Sequence, residues 1–187
     1  MKKIYILSAL LLASAPLSAQ EVSEDQGKAM NGKNEIRLDA LELIVAGNLE
    51  VDYEYIINQY SGAGIAVAVN LEDGYQSDDL RWAVTPFYRQ YIFNKNGFPA
   101  RGLFAEGSLS LGQYHHYNYD YNAETMTYYD LDRNTTRFGA GIALGYKFVS
   151  RSRFLLELSI AAGRFLGGDQ YADDIYFRGG LLIGYRF

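Results

Sequence analysis

The chain has 187 residues, enough for one domain, with a formal net charge of −5, no cysteine, and aromatics at 15%, mostly 17 Tyr and 10 Phe. The lack of Cys excludes disulfides, thiolate metal sites and a lipid-modified N-terminal Cys, and the acidic balance argues against nucleic acid, whose phosphates need concentrated Lys and Arg. With 19 Gly and only 3 Pro, the composition favours many strands over helices or disorder.

In chain order, the first predicted element is a cleaved signal peptide over residues 1–19. Lys2 and Lys3 form a positive start, Ile4 to Ala13 an apolar stretch, and Leu17-Ser18-Ala19 a cleavage site before Gln20. The apolar part falls short of the roughly 20 residues that a spanning helix needs. Cleavage removes two lysines and no acid, so the net charge moves from −5 to −7. Residues 20–33 are polar and aperiodic, a flexible N-terminus.

From Asn34 onward apolar and polar residues alternate, the period of a strand, with turn-type clusters between runs. Eight segments are predicted: Glu35 to Leu43, Leu49 to Asn58, Ala63 to Glu72, Leu80 to Phe93, Arg101 to Tyr114, Arg137 to Val149, Arg153 to Phe165 and Ile175 to Phe187. An even number of strands near ten residues long is what a membrane barrel needs. The connections after the second and sixth segments (Gln59-Tyr60-Ser61 and Ser150-Arg151-Ser152) are short, and His115 to Thr136 is the longest. That alternation fits short periplasmic turns and longer outer loops, with both termini periplasmic. Two connections fit less well: the first, near Ala46-Gly47-Asn48, is short, and the fourth, around Asn94-Lys95-Asn96-Gly97, is no shorter than the third. The predicted fold is all-β, an eight-stranded antiparallel up-and-down transmembrane barrel over residues 34–187.

Alternation does not say which face meets lipid, since a soluble lipocalin-like barrel would turn Phe138, Ile142 and Ile183 inward. Aromatic spacing favours lipid outside. Phe138 and Phe148, and likewise Phe177 and Phe187, stand ten positions apart with smaller apolar side chains on the same face between them. At about 3.3 Å per residue and a tilt near 40°, this spans about 25 Å, the height of a lipid-facing band. The opposite face is rich in Gly, Ala and Ser, as the narrow interior of an eight-stranded barrel requires. That same face carries the acids Asp39, Glu50, Asp52, Glu54, Glu106 and Glu157 and the bases Arg37, Arg81, Arg89, Lys147, Arg178 and Arg186. Six against six can form an internal network, and buried charges must be paired. Arg164 falls on the lipid face near the outer end, where it can snorkel or where a bulge resets the register.

The closing Gly180-Leu181-Leu182-Ile183-Gly184-Tyr185-Arg186-Phe187 resembles the C-terminal assembly signal of outer-membrane proteins, with Tyr185 and Phe187 as its aromatic positions. Signal peptide, strand number and ending together resemble the small OmpA/OmpX-type barrels. Tyr53-Glu54-Tyr55, Phe87-Tyr88-Arg89-Gln90-Tyr91-Ile92-Phe93 and Gly102-Leu103-Phe104-Ala105-Glu106-Gly107 resemble an uncharacterised outer-membrane barrel family of Bacteroidetes-type bacteria. The resemblance covers Asn34 to Phe187. It implies the outer membrane of a Gram-negative bacterium, insertion by the barrel-assembly machinery, and contact with outer-membrane lipids and lipopolysaccharide. It brings no catalytic residue and no cofactor.

Candidate chemistry is sparse. His115 and His116 are adjacent and point opposite ways on an extended segment, which disfavours a chelating pair. Asp130-Leu131-Asp132-Arg133-Asn134 matches the start of a calcium loop but lacks its glycine and its later Glu. A lipid-modifying enzyme would use Ser110, His115 or His116, and Glu106 or Glu124, and no GxSxG, HExxH or phosphate-loop motif supports it. Tyr117, Tyr119, Tyr121, Tyr128 and Tyr129 either present a surface to an outside protein or glycan, or extend the hairpin of the fifth and sixth strands. The function expected is structural or adhesive, exercised by a monomer through its outer loops. A lipid-modifying enzyme and a soluble binder are the alternatives.

Overall fold

The computed structural model describes residues 32–71, 79–92, 99–122, 127–166 and 175–187, with the side chains of 79 and 116–133 outside that description. The predicted signal peptide and most of the N-terminal segment lie outside the described residues, as do His116, Glu124, the five loop tyrosines and the first four residues of the calcium-loop match as side chains. The strands are β1 (Asn34–Asp39), β2 (Asn48–Asn58), β3 (Ser61–Asn70), β4 (Asp79–Tyr91), β5 (Gly102–Asn122), β6 (Thr127–Val149), β7 (Phe154–Leu166) and β8 (Ile175–Arg186). Each pairs antiparallel with the next, and β1 pairs with β8 through Glu35↔Arg186, Arg37↔Gly184 and Asp39↔Leu182, so the sheet closes into an eight-stranded barrel. Closure removes every free sheet edge within the wall. No helix among the described residues is long and apolar enough to cross a membrane, which has no bearing on crossing by strands.

Three elements differ from expectation. The first segment does not stay extended to Leu43, because β1 ends at Asp39 and a short helix, α1 (Ala40–Val45), follows. Asp39 caps it, its Oδ1 accepting from the N–H groups of Leu41 at 2.9 Å and Glu42 at 3.1 Å. The Asp39-x-x-Glu42 spacing is a capping-box signal that the alternation of Ala40 to Leu43 hides. Gly47, at φ 69°, then turns the chain into β2, a left-handed conformation that glycine adopts without strain. The segment His115 to Thr136 is not a long loop. Strands β5 and β6 stay paired from Gly102↔Lys147 through to Asn122↔Thr127, so the hairpin runs on past the neighbouring strands. Alternation of Tyr and Asn there suits a ribbon.

The third difference is Arg81. Its parity with Ala83 and Thr85 puts it inside, yet it is exposed. The register between β4 and β5 shifts between Leu80 and Trp82, so Arg81 is the extra residue of a bulge and its side chain is re-aimed outward. No such shift occurs beside Arg164, which is exposed and opposite Ala140 and Ile175 in an unbroken ladder.

The barrel is apolar outside and polar within. Ile142 is 72% exposed, Ile160 70%, Phe177 82% and Ile183 51%, while Arg37, Glu35, Glu54, Lys147, Glu157 and Arg186 are buried. Phe138, Ile142 and Ile183, which a soluble binder would turn inward, all face out. Apolar packing inside is confined to small groups such as Ile56, Tyr91, Ala100 and Phe104 near the end that holds the termini. Glycines make room for large neighbours. A Cβ at Gly184 would lie 2.6 Å from Arg37 Cγ and against the Ile36 carbonyl oxygen, and one at Gly145 would meet the Phe104 ring.

Candidate functional site

Two regions fill the interior. The first is a plug of ionised side chains in the half nearer the termini. Register places Glu35 directly opposite Glu54 on β1 and β2, both inward, an arrangement of like charges that destabilises a sheet unless a cation intervenes. Lys147 supplies it from across the barrel on β6. Its Nζ donates to Glu35 Oε2 at 2.7 Å and Glu54 Oε2 at 2.8 Å, and also contacts the Tyr91 hydroxyl. Arg37 Nη1 donates to Glu54 Oε2 at 2.7 Å and Glu157 Oε2 at 2.9 Å, and its Nη2 reaches Asp52 Oδ2 at 3.3 Å. Arg89 Nη1 donates to the same Glu157 oxygen at 2.8 Å and its Nε to Glu106 Oε2 at 2.5 Å. The Arg89 guanidinium also lies 4.6 Å from the centre of the Phe87 ring and 4.4 Å from that of Phe104, a cation–π sandwich inside the barrel.

The plug is sealed towards the termini by Arg186. Its Nε donates to Glu35 Oε1 at 2.7 Å, and its two terminal nitrogens donate to the carbonyls of Pro99 at 2.8 Å and Ala100 at 2.9 Å. Pro99 and Ala100, just before β5, are thereby held against the plug. Ala100 is fully buried there, its N–H donating to the Gln59 carbonyl at 3.0 Å.

Above the plug, towards α1, lies a vestibule of about 370 Å³. Glu50, Thr85, Ser110, Tyr114, Arg137 and Arg178 are among the residues lining it. Arg178 Nη1 donates to Glu50 Oε2 at 2.9 Å, Thr85 Oγ1 to Ser110 Oγ at 3.2 Å, and the Arg137 guanidinium stacks 3.8 Å from the centre of the Phe165 ring. This space holds both charges and hydroxyls, next to alanines and aromatic faces.

Of the twelve charged residues expected inside, Arg37, Asp52, Glu54, Arg89, Glu106, Lys147, Glu157 and Arg186 meet in the plug, and Glu50 pairs with Arg178 in the vestibule. Asp39 is buried but is balanced by backbone N–H groups, those of α1 and that of Leu181 at 3.3 Å, rather than by an arginine. Arg81 is excluded from the interior by its bulge. Glu35 was missed, although it stands two residues before Arg37 and shares its parity. Tyr91, Arg137 and the ring-bearing Phe87 and Phe104 were missed as interior partners too, and the same parity would have found them.

Of the enzyme candidates, the side chains of His116 and Glu124 lie outside the described residues, and the described ones, Ser110, His115 and Glu106, are each engaged elsewhere. Ser110 and His115, both buried, stand five residues apart on β5, an odd spacing that aims side chains in opposite directions along an extended strand. Ser110 Oγ is bonded to Thr85, His115 Nδ1 lies 3.0 Å from Asn134 Oδ1, and Glu106 is bound to Arg89. Among the described residues no three His, Cys, Asp or Glu side chains converge as a metal site.

No family model matches the chain, and no curated protein matches it. Two solved structures are similar. The N-terminal β-barrel domain of Pseudomonas aeruginosa OprF superposes with a TM-score of 0.47 at 15% identity, covering 82% of this chain and 96% of that one. Neisserial surface protein A (NspA) superposes at 0.44 and 14% identity, covering 82% and 92%.

Proposed function

We propose that the protein is an integral outer-membrane barrel with a structural or surface-interaction role, exported by a cleaved signal peptide and acting through the end that carries α1 and the extended β5–β6 hairpin. The observation that carries this reading is the inversion of polarity. Exposed aliphatic and aromatic side chains run around a closed wall, including Ile65, Val67, Leu109, Ile142, Leu158 and Ile183, while the ionised groups are sealed within. A soluble monomer rarely exposes contiguous apolar patches beyond a few hundred Å². Hydrocarbon also penalises unpaired backbone groups, and a closed barrel leaves no strand edge unpaired.

The plug separates this reading from that of an open pore. Eight strands leave an interior just wide enough for side chains, and here ion pairs fill its lower half. Extracellular partners of the hairpin, a protein or a glycan, belong to the same proposal, as do lipopolysaccharide around the wall and the barrel-assembly machinery during insertion. Separation of cell envelopes tests it. The protein should be recovered with outer membranes and need detergent for release; native protein in the periplasmic fraction without detergent would end the proposal.

A further inference from the structure

The wall itself has an irregularity between β4 and β5. Pro86 sits mid-strand on β4, where a closed sheet has no place for a residue without an N–H. Its pairing with Ile65 on β3 is intact. Towards β5, however, the ladder lapses between Val84↔Leu111 and Phe87↔Ser108 with no change of register. That is the pattern expected when one donor, the N–H that Pro86 lacks, is withheld from the Leu109 carbonyl. Beside it on the outer face is Gly107, placed between Tyr88 and Ile142, where an added Cβ would find nothing within 4 Å. Pro86, Gly107 and Leu109 are all exposed. Missing donor and missing side chain coincide in an open depression of about 410 Å³, lined also by the inward residues Phe87, Ser108 and Gly141. Ser108 and Gly141 line the vestibule as well. Here Ser108 and Gly141 border both the outer depression and the interior space.

We propose that this notch is a lateral site for the distal end of a phospholipid acyl chain, which lies between Pro86 and Gly107 and reaches through the wall to Phe87 and Ser108. The proposal rests on the membrane reading above. The occupant follows from position. The notch is continuous with the apolar outer belt, and Ile142, opposite Gly107, stands four residues from Phe138 and six from Phe148 on the outward face of β6, in the central part of that span, where chain ends meet in a bilayer. Beyond Ser108 the vestibule offers Ala68, Ala83 and Ala161 to a chain.

The test uses the full folded protein in phosphatidylcholine vesicles doped with a phosphatidylcholine that carries a diazirine near the end of one chain. After illumination, peptide mapping should find adducts on inward Phe87 and Ser108 as well as on outward Leu109 and, on the opposite wall, Ile183. Gly107→Leu, which fills the notch, should abolish the inward adducts and leave those at Ile183 unchanged. Pro86→Val, which returns a donor to the Leu109 carbonyl, should do the same by an independent route. Adducts confined to outward residues in the native protein, or inward adducts that survive both substitutions, would overturn the lateral site while leaving the membrane reading intact. Absence of adducts at Ile183 and Leu109 alike would instead overturn the membrane reading, and the site with it.

Discussion

Replacing Lys147 by Met measures what the plug contributes. Lys147 is fully buried, and its ammonium stands between two carboxylates that register makes cross-strand neighbours. Met keeps most of the side-chain volume, so packing is nearly conserved and the loss is electrostatic. Breaking a buried pair by removing one partner costs about 3–5 kcal/mol. The lower end is expected here, because Glu35 keeps Arg186 at 2.5 Å and Glu54 keeps Arg37 at 2.7 Å. A loss of about 3 kcal/mol is a little over two decades in the folding equilibrium. The assay is reversible urea unfolding in lipid vesicles, followed by electrophoresis of unheated samples and by fluorescence of Trp82, the only Trp of the chain. A Lys147→Met loss under about 0.5 kcal/mol, the range of ordinary surface substitutions, would refute the reasoning.

Steric expectations are sharper at the glycines. Gly184→Ala brings a methyl against the Ile36 carbonyl and Arg37, and overpacking of this kind costs about 1–3 kcal/mol in the same titration; Gly107→Ala, with open space around it, should change stability by less than about 0.5 kcal/mol. Single cysteines at Ile142, Ile160 or Phe177 should react with a bilayer-soluble maleimide, whereas one at Ala143 should resist it; equal reaction at Ala143 and Ile142 would contradict the orientation of β6. Deleting Phe187 removes the two backbone hydrogen bonds it exchanges with Asn34, at 2.8 and 3.1 Å, as well as the terminal aromatic of the assembly signal. Folded yield from cells should fall, and an undiminished yield would count against that role of the ending.

Strand number, closure and facing were legible in the sequence because a two-residue period encodes them directly. A wall that is apolar outside and encloses a narrow interior leaves little freedom at Phe138, Ile142 or Leu144, and little at Gly141 or Lys147. The misread places are those where a local device breaks the period. Asp39 reads as one more inward acid until its distance from Glu42 is noticed. Arg81 keeps the right parity in sequence and loses it in space, because a bulge consumes one residue. The hairpin beyond His115 was open between loop and ribbon, since polar tyrosine-rich alternation serves either. Which acid meets which base was not legible at all. Partners such as Arg37 and Glu157 come from strands distant in the chain, and only the curvature of the closed wall sets their separation. The notch escaped notice for a related reason, as Pro86 and Gly107 become neighbours only once β4 and β5 are in register.

The plug has a consequence for how the protein comes into being. Its cations find their anions across the chain, Lys147 with Glu35 at a separation of 112 residues and Arg186 with Glu35 at 151. Any partly built sheet that lacks the last three strands leaves the acids of β1 and β2 facing one another, with neither Lys147 nor Arg186 to hold them. On the membrane reading, such a sheet would gain little by entering hydrocarbon early, which would tie insertion to closure. The final strand then acts as the bolt: Arg186 fastens the β4–β5 connection at Pro99 and Ala100 when the cylinder shuts.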